Sequence, residues 1–338
     1  MTVDEIPIWL DCDPGHDDAV AMLLACFLPA FKLVGLSTCH GNAPPEKTDY
    51  NARSLLTAFG KADVPVYRGA QRPWVRSPHY APDIHGETGL DGTSLLPTPT
   101  FEARDDVSYI DAIERAVMKY EGELSFISTG SMTSIATVLK ERPHLIKKIK
   151  YISIMGGGFG VGNVNKGLSA EFNVWVDPHA SQYLFRTPEI AHKIILTPLN
   201  LTHKAIATDE ITEHVLGTGK SNIRRLFYDL FLFFKKTYKS AQGFENGPPI
   251  HDPLTLLPLL GFYQWETQQK INFTYRRLDL DVDVDCNSDH AGKLVILNEY
   301  PIEERNKGIM VGFELNFDFF WEELYHALDE AQKTSTIG

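Results

Sequence analysis

Between Ile6 and Asn42 two short apolar runs flank one stretch of helix-forming residues, and this strand–helix–strand order restricts the chain more than any other feature. The first run, Ile6 to Leu10, stops before Pro14-Gly15. Ala19, Val20, Met22, Leu23, Leu24 and Phe27 then suit a helix buried around most of its circumference, and "KLVGLSTCHGN" supplies a second strand ending at Gly41-Asn42. Units of this kind cross over right-handed and build parallel sheets.

The alternation continues. Helices are predicted around Tyr50–Phe59, Val107–Tyr120, "SMTSIATVLKE" and His179–Phe185, and strands at Val64–Tyr67, "LSFIST", "YISIMGG" and "KIILTPL". The expected fold is therefore α/β: a mainly parallel, doubly wound, Rossmann-like sheet flanked by helices, with residues 1–338 as one domain. Gly69 to Pro99 is too rich in Pro and Gly for a core element and reads as a long loop. Thr208 to Phe244 reads as helical, its aromatic run "LFYDLFLFF" facing the core or a partner. "LDLDVDVD" at Leu278–Asp285 alternates like a half-exposed strand and is expected at a sheet edge. A helix over Asp318–Ala331 closes the chain, and "KTSTIG" is expected to fray.

A balance of 32 basic against 44 acidic residues gives a net charge of −12, which argues against a nucleic-acid-binding surface. No apolar run reaches membrane-spanning length and the N-terminus lacks a basic, apolar leader, so the cytoplasm is the expected location, with the nucleus as a second site. Cys12, Cys26, Cys39 and Cys286 have no C-x-x-C spacing and read as reduced, packed thiols.

Chemistry concentrates first in "LDCDPGHDDAVAMLL", where Asp11, Asp13, Asp17 and Asp18 crowd a strand-to-helix turn with no lysine or arginine among them. Capping of the helix N-terminus accounts for Asp17 and Asp18. It does not account for Asp13, since clustered carboxylates resist ionisation unless a cation or hydrogen bonds stabilise them. Oxygen donors without Cys or paired His favour a hard ion, Mg²⁺ or Ca²⁺. Because ligands in parallel sheets bind beyond the carboxyl ends of strands, Asn42, Thr129, Asn163, Glu171, Asn173, His251 and Asp252 become potential neighbours of this cluster. The glycine-rich stretch Gly156–Gly167 contains no G-x-G-x-x-G and no Gly-Lys-Ser/Thr, so it lacks the usual phosphate cradle. Its Asn and Glu side chains suit a polyhydroxylated ligand instead.

Taken in order, "DCDPGHDDAVAMLL", "HGN", "IHGETGLDG", "STGSMTSIA", "MGGGFGVGN", "AEFN" with "DPHA", and "HDPL" resemble the motif set of the inosine–uridine-preferring nucleoside hydrolases, from residue 8 to about 260. Within that family the sequence looks most like the fungal, uridine-cleaving, pyrimidine-type members. The resemblance implies a calcium-dependent N-ribohydrolase that converts uridine to ribose and uracil in pyrimidine salvage. By matched position, Asp13 resembles the general base and a calcium ligand, with Asp18, Asp252 and the Thr129 carbonyl completing the protein's share of the Ca²⁺ shell. Asp17, Asn42, Asn163, Glu171 and Asn173 would hold ribose hydroxyls, and Met155 would pack on the sugar. His85 and His251 match catalytic histidines near the nucleobase, Asp11 a supporting position, and Tyr238 points a hydroxyl toward the base or packs in the core. His16 reads as a turn residue only, and His40 has no assigned role. The family also implies a homodimer or homotetramer with a small ribonucleoside as substrate.

Three rival readings stay open. A purine-accepting or nicotinamide riboside hydrolase would use the same machinery, since one hydrogen bond in a base pocket shifts selectivity by only about 1–3 kcal/mol. A D-x-D phosphohydrolase would use Asp11 as nucleophile, but Pro14-Gly15-His16 stand where a small hydroxyl residue normally follows. A non-catalytic nucleoside-binding protein would keep the ribose grip without turnover. The segment "VNKGLS" between Asn163 and Glu171 leaves the path of the 164–170 loop undetermined.

Overall fold

The computed structural model describes residues 5–338. Nine strands form one sheet: β1 (Ile6–Cys12), β2 (Phe31–Thr38), β3 (Val66–Arg68), β4 (Ser125–Ser128), β5 (Ile152–Met155), β6 (Ile194–Thr197), β7 (Thr274–Val282), β8 (Leu294–Tyr300) and β9 (Ile309–Glu314). Their order is β3-β2-β1-β4-β5-β6-β9-β7-β8. The first six strands are parallel and so is β9 against β6, whereas β7 runs antiparallel to both its neighbours. This is the doubly wound arrangement expected from the alternation.

Every residue of β1 is buried, as a central strand covered on both faces requires. The two-residue period sends Ile8 and Leu10 into one apolar cluster and Trp9 into another, with Phe126 and Ile152, on the opposite face. The helix His16–Phe27 packs into the first of these clusters and returns the chain to β2. Because β2 and β3 extend the sheet on one side of β1 and β4 on the other, the winding reverses between β1 and β4. A crevice opens outside their carboxyl ends at such a reversal. Asp13 leaves β1 there, and Thr129 leaves β4 there.

Several elements depart from the sequence expectation. The segment "LDLDVDVD" is not an edge: β7 pairs with both β9 and β8, and the edge is β8, whose consecutive apolar residues Val295, Ile296 and Leu297 are all exposed and show no in–out alternation. The stretch Thr208–Phe244 forms two helices, Asp209–Leu216 and Asn222–Gln242, separated where Gly217 and Gly219 take positive φ. The chain terminus does not fray. Thr336 N donates to Ala58 O at 3.1 Å and Asn222 N to Gly338 O at 3.0 Å, so backbone pairing docks the tail. Gly69–Pro99 is largely irregular, as expected, with one short helix at Pro82–His85. Among the described residues no helix is long and apolar enough to cross a membrane. All four cysteines are unpaired.

Candidate active site

The turn after β1 buries Asp13 completely. Its Oδ2 accepts from the Asn42 amide N–H at 2.7 Å, while Oδ1 is buried with no partner. Gly41 and Gly130 press against the two oxygens so closely that a methyl group at either position would overlap the carboxylate. Asp18, in the first turn of the following helix, is saturated instead. It accepts from Thr129 Oγ1 at 2.8 Å, Gly15 N at 3.0 Å, Asn42 Nδ2 at 3.1 Å and Asp13 N at 3.3 Å. Asp17 and Asp252 face it, and Asp17, Asp18 and Asp252 each bring an oxygen within 4.8 Å of the others.

No lysine or arginine lines this pocket. Burial first, and neighbouring carboxylates next, push the acids of Asp13 and Asp252 well above the carboxylate range. The same causes push Asp17 up to about 7, and burial raises Asp18. An all-oxygen donor set, an orphaned buried carboxylate oxygen and missing counter-charge fit a hard divalent cation. The tightest trio takes Asp17 where the family resemblance implies Asp13. The Thr129 carbonyl, implied as a further ligand, accepts from Asn173 Nδ2 at 2.7 Å.

Facing the acids is a polar wall carried by the segment after β5. Glu171 caps the helix Phe172–Val176, accepting from Asn173 N at 2.8 Å and Val174 N at 3.2 Å, and takes a third bond from Gly157 N at 2.8 Å. Burial nevertheless pushes its acid up to about 7. Asn163 is held by its backbone, whose N–H donates to Ala170 O at 2.9 Å, and its buried Oδ1 has no partner. The 164–170 loop thus folds back as a small antiparallel bridge between Val164 and Ala170. Met155, the last residue of β5, lies at the base of the wall.

Histidines close the far side. His251 Nδ1 lies 2.7 Å from Thr202 Oγ1 and its Nε2 lies 2.9 Å from the Tyr238 hydroxyl. Tyr238 therefore does more than pack: its hydroxyl is bound to a pocket histidine. His85 enters from the irregular loop, its Nδ1 3.1 Å from His16 Nδ1. Burial lowers both His85 and His251 well below the usual imidazole range, so both rest neutral. His40 stays outside the pocket, 3.0 Å from Thr133 Oγ1.

Asp17, Asn42, His85, Thr129, Met155, Asn163, Glu171, Asn173, Tyr238, His251 and Asp252 line one cavity, with Asp13 and Asp18 buried below it. Asp11 does not line it; Ser37 Oγ donates to its Oδ1 at 2.5 Å and it supports β1 from beneath. Sequence reasoning missed His16, which is more than a turn residue. It is fully buried, contacts the Asp91 carbonyl at 2.8 Å through Nε2 and stacks on Phe233 and Phe234 at 5.1 and 4.9 Å. It also missed Thr202, and the glycines Gly41 and Gly130, whose only signal was their place inside "HGN" and "STGS".

The fold and this pocket define a class. The chain belongs to the inosine-uridine preferring nucleoside hydrolase family, whose profile matches residues 8–322. It is 59% identical over 341 residues to the uridine nucleosidase of Saccharomyces cerevisiae, covering 100% of both chains. It is also 39% identical over 255 residues to the pyrimidine-specific ribonucleoside hydrolase RihA of Escherichia coli, covering 75% of this chain and 79% of that protein. Among solved structures, the purine-preferring ribonucleoside hydrolase from Gardnerella vaginalis superposes with a TM-score of 0.82 at 26% identity, covering 97% of this chain and 99% of that one.

Proposed function

We propose that this chain is a calcium-dependent ribonucleoside hydrolase that acts as one domain over residues 1–338 and cleaves uridine best, releasing ribose and the free base. The observation that carries the reading is the meeting, in one buried acidic pocket, of side chains from the carboxyl ends of β1, β2, β4 and β5 with His251 and Asp252. Uridine preference is supported by the identity to the yeast uridine nucleosidase. A cytoplasmic homodimer or homotetramer accompanies this reading.

Asp13, Asp17, Asp18, Asp252 and the Thr129 carbonyl are the candidate holders of the ion. When bound, calcium supplies Lewis acidity and lets these acids stay ionised at neutral pH. Asp13 is suited to take the proton of an attacking water because Asn42 occupies only Oδ2 and leaves Oδ1 free. Asn42, Asn163, Glu171 and Asn173 offer acceptors and donors to ribose hydroxyls, contacts that strengthen as the sugar gains oxocarbenium character. The leaving base needs a proton or a strong donor. Tyr238 and His251, already hydrogen-bonded, form a route for one, and neutral His85 lies across the pocket.

The phosphohydrolase reading is disfavoured because Asp11, its required nucleophile, is buried away from the cavity and bonded to Ser37. Separation of products from a panel of uridine, cytidine, inosine and nicotinamide riboside, with calcium and with chelator, tests the proposal. Free base from uridine in excess over the others, abolished by chelator, is expected. No base from any ribonucleoside would refute it.

A further inference from the structure

A second cleft lies at the opposite end of the sheet, and none of the chemistry above uses it. Lys150 and Tyr151 immediately precede β5, His192 and Lys193 precede β6, and Met310 begins the part of β9 that pairs with β6; all line a cavity of about 620 Å³. Strand β5 spans only four residues, roughly 13 Å, between this cleft and Met155 in the catalytic pocket.

The charge of this cleft runs against that of the chain. In a protein of net charge −12, its walls carry Lys150, Lys193, Arg277 and Arg305 against a single carboxylate, Glu303. Among the described residues none of these four cations is in a salt bridge, whereas the neighbouring Lys148, Arg276 and Lys307 each pair with a glutamate. Two of them are fixed in place. Lys193 Nζ donates to Ile146 O and Ile149 O at 2.7 Å each, and the buried Arg277 donates to Lys307 O at 3.1 Å. Lys193 is driven below the usual ammonium range by burial and then by Lys150, an arrangement of like charges that lacks a counter-ion. Phosphate is the common ligand for such a cluster, with arginine and lysine sharing its oxygens.

The remaining wall is aromatic. Tyr151 and Phe262 have ring centroids 5.2 Å apart with planes tilted 45°, and Phe262 and Tyr275 5.8 Å apart tilted 47°, which makes an angled aromatic patch beside the cations. Aromatic faces of this kind stack planar heterocycles without demanding a particular base. Gln264 and Gln268 add amides at the rim that could bond a base or ribose edge.

We propose that this cleft binds a small phosphorylated aromatic ligand of the nucleoside monophosphate class, its phosphate between Lys150 and Arg305 and its base against Tyr151 and Phe262. The segment that starts with Asp252 in the catalytic pocket, Asp252–Thr255 followed by the helix Leu257–Phe262, ends in the wall of this cleft, so the two sites share a structural element.

Isothermal titration of the full chain with uridine monophosphate, adenosine monophosphate, inorganic phosphate and uridine tests the proposal. Both monophosphates are expected to bind, more tightly than inorganic phosphate. Joint Lys150→Gln and Arg305→Gln substitution should weaken them by about tenfold or more. These exposed changes should leave the thermal midpoint and uridine hydrolysis at wild-type values. Asp252→Asn should leave monophosphate binding intact. Three results would overturn the proposal: no binding of either monophosphate, equal affinity for inorganic phosphate, or binding that survives the double substitution and is lost with Asp252→Asn, which would assign it to the catalytic pocket.

Discussion

Replacing Asp17 by Asn should stabilise the cation-free protein at neutral and alkaline pH, the reverse of what removing a buried, hydrogen-bonded residue usually does. Burial, and then Asp18, raise the folded-state acid of Asp17 from 3.8 to about 7. Because the folded value lies above the unfolded one, the group costs nothing below pH 3.8, an increasing amount between 3.8 and about 7, and a constant amount above. At 1.36 kcal/mol per pH unit, the shift of about 3 units amounts to a penalty of about 4 kcal/mol at pH 8 and about 2 kcal/mol at pH 5. A neutral, nearly isosteric Asn escapes the penalty and still accepts from the His251 N–H, now 3.4 Å from Asp17 Oδ2. For a chain of 338 residues, unfolding entropy of roughly 2.1 cal/mol/K per residue converts 4 kcal/mol into about 6 °C. Thermal unfolding of Asp17→Asn and wild type in chelator, at pH 5 and pH 8, reads the difference directly. A rise in midpoint at pH 8 that shrinks by half or more at pH 5 is expected. Equal destabilisation at both values would refute the electrostatic account of the pocket.

The cation should act in the opposite direction on the wild type. Calcium at about one hundred times its dissociation constant should add about 2.7 kcal/mol, or about 4 °C, at pH 8. The gain should be much smaller at pH 5, where protons compete for the same carboxylates, as differential scanning with and without chelator would record. Asp13→Asn should lower kcat on uridine by at least about 10²-fold while circular dichroism stays native, since the proposed general base is lost and the buried geometry is kept. Gly130→Ala forces a methyl group onto Asp13 Oδ1. The same methyl meets Cys39 Sγ, and the substitution should cost about 1–3 kcal/mol in denaturant unfolding and most of the activity. Tyr238→Phe removes the hydroxyl bound to His251 Nε2 and should lower kcat more on uridine than on a riboside whose leaving group departs without protonation. Equal losses on both substrates would show that Tyr238 only shapes the pocket.

Much of this architecture was legible because it rests on local periodicity. Strand β1 is apolar throughout since it is covered on both faces, and the helix after it is apolar nearly all round for the same reason. The carboxyl-end rule gathers Asp13, Asn42, Thr129, Asn163, Glu171, Asn173, His251 and Asp252, which line or adjoin the cavity, and also Asp11, which does not. Strand β8 escapes the alternation rule because Val295, Ile296 and Leu297 are consecutive apolar residues that all stay exposed at the sheet edge. The terminal "KTSTIG" looked free because its partners, Thr57, Ala58 and Phe59, are remote in sequence. His16 was read as a turn residue because its partners, His85, Asp91 and Phe233, come from a loop and a helix far along the chain.

The sequence by itself determined the parallel winding and the chemical inventory of the site, since both are written in residue type and short-range spacing. Only the tertiary structure decided which carboxylates close on one another, which histidine meets which hydroxyl, and that basic residues from four separate segments gather at the end of the sheet opposite the pocket. Those outcomes depend on distances between chain-remote atoms, which strand order and loop packing set and local pattern does not encode.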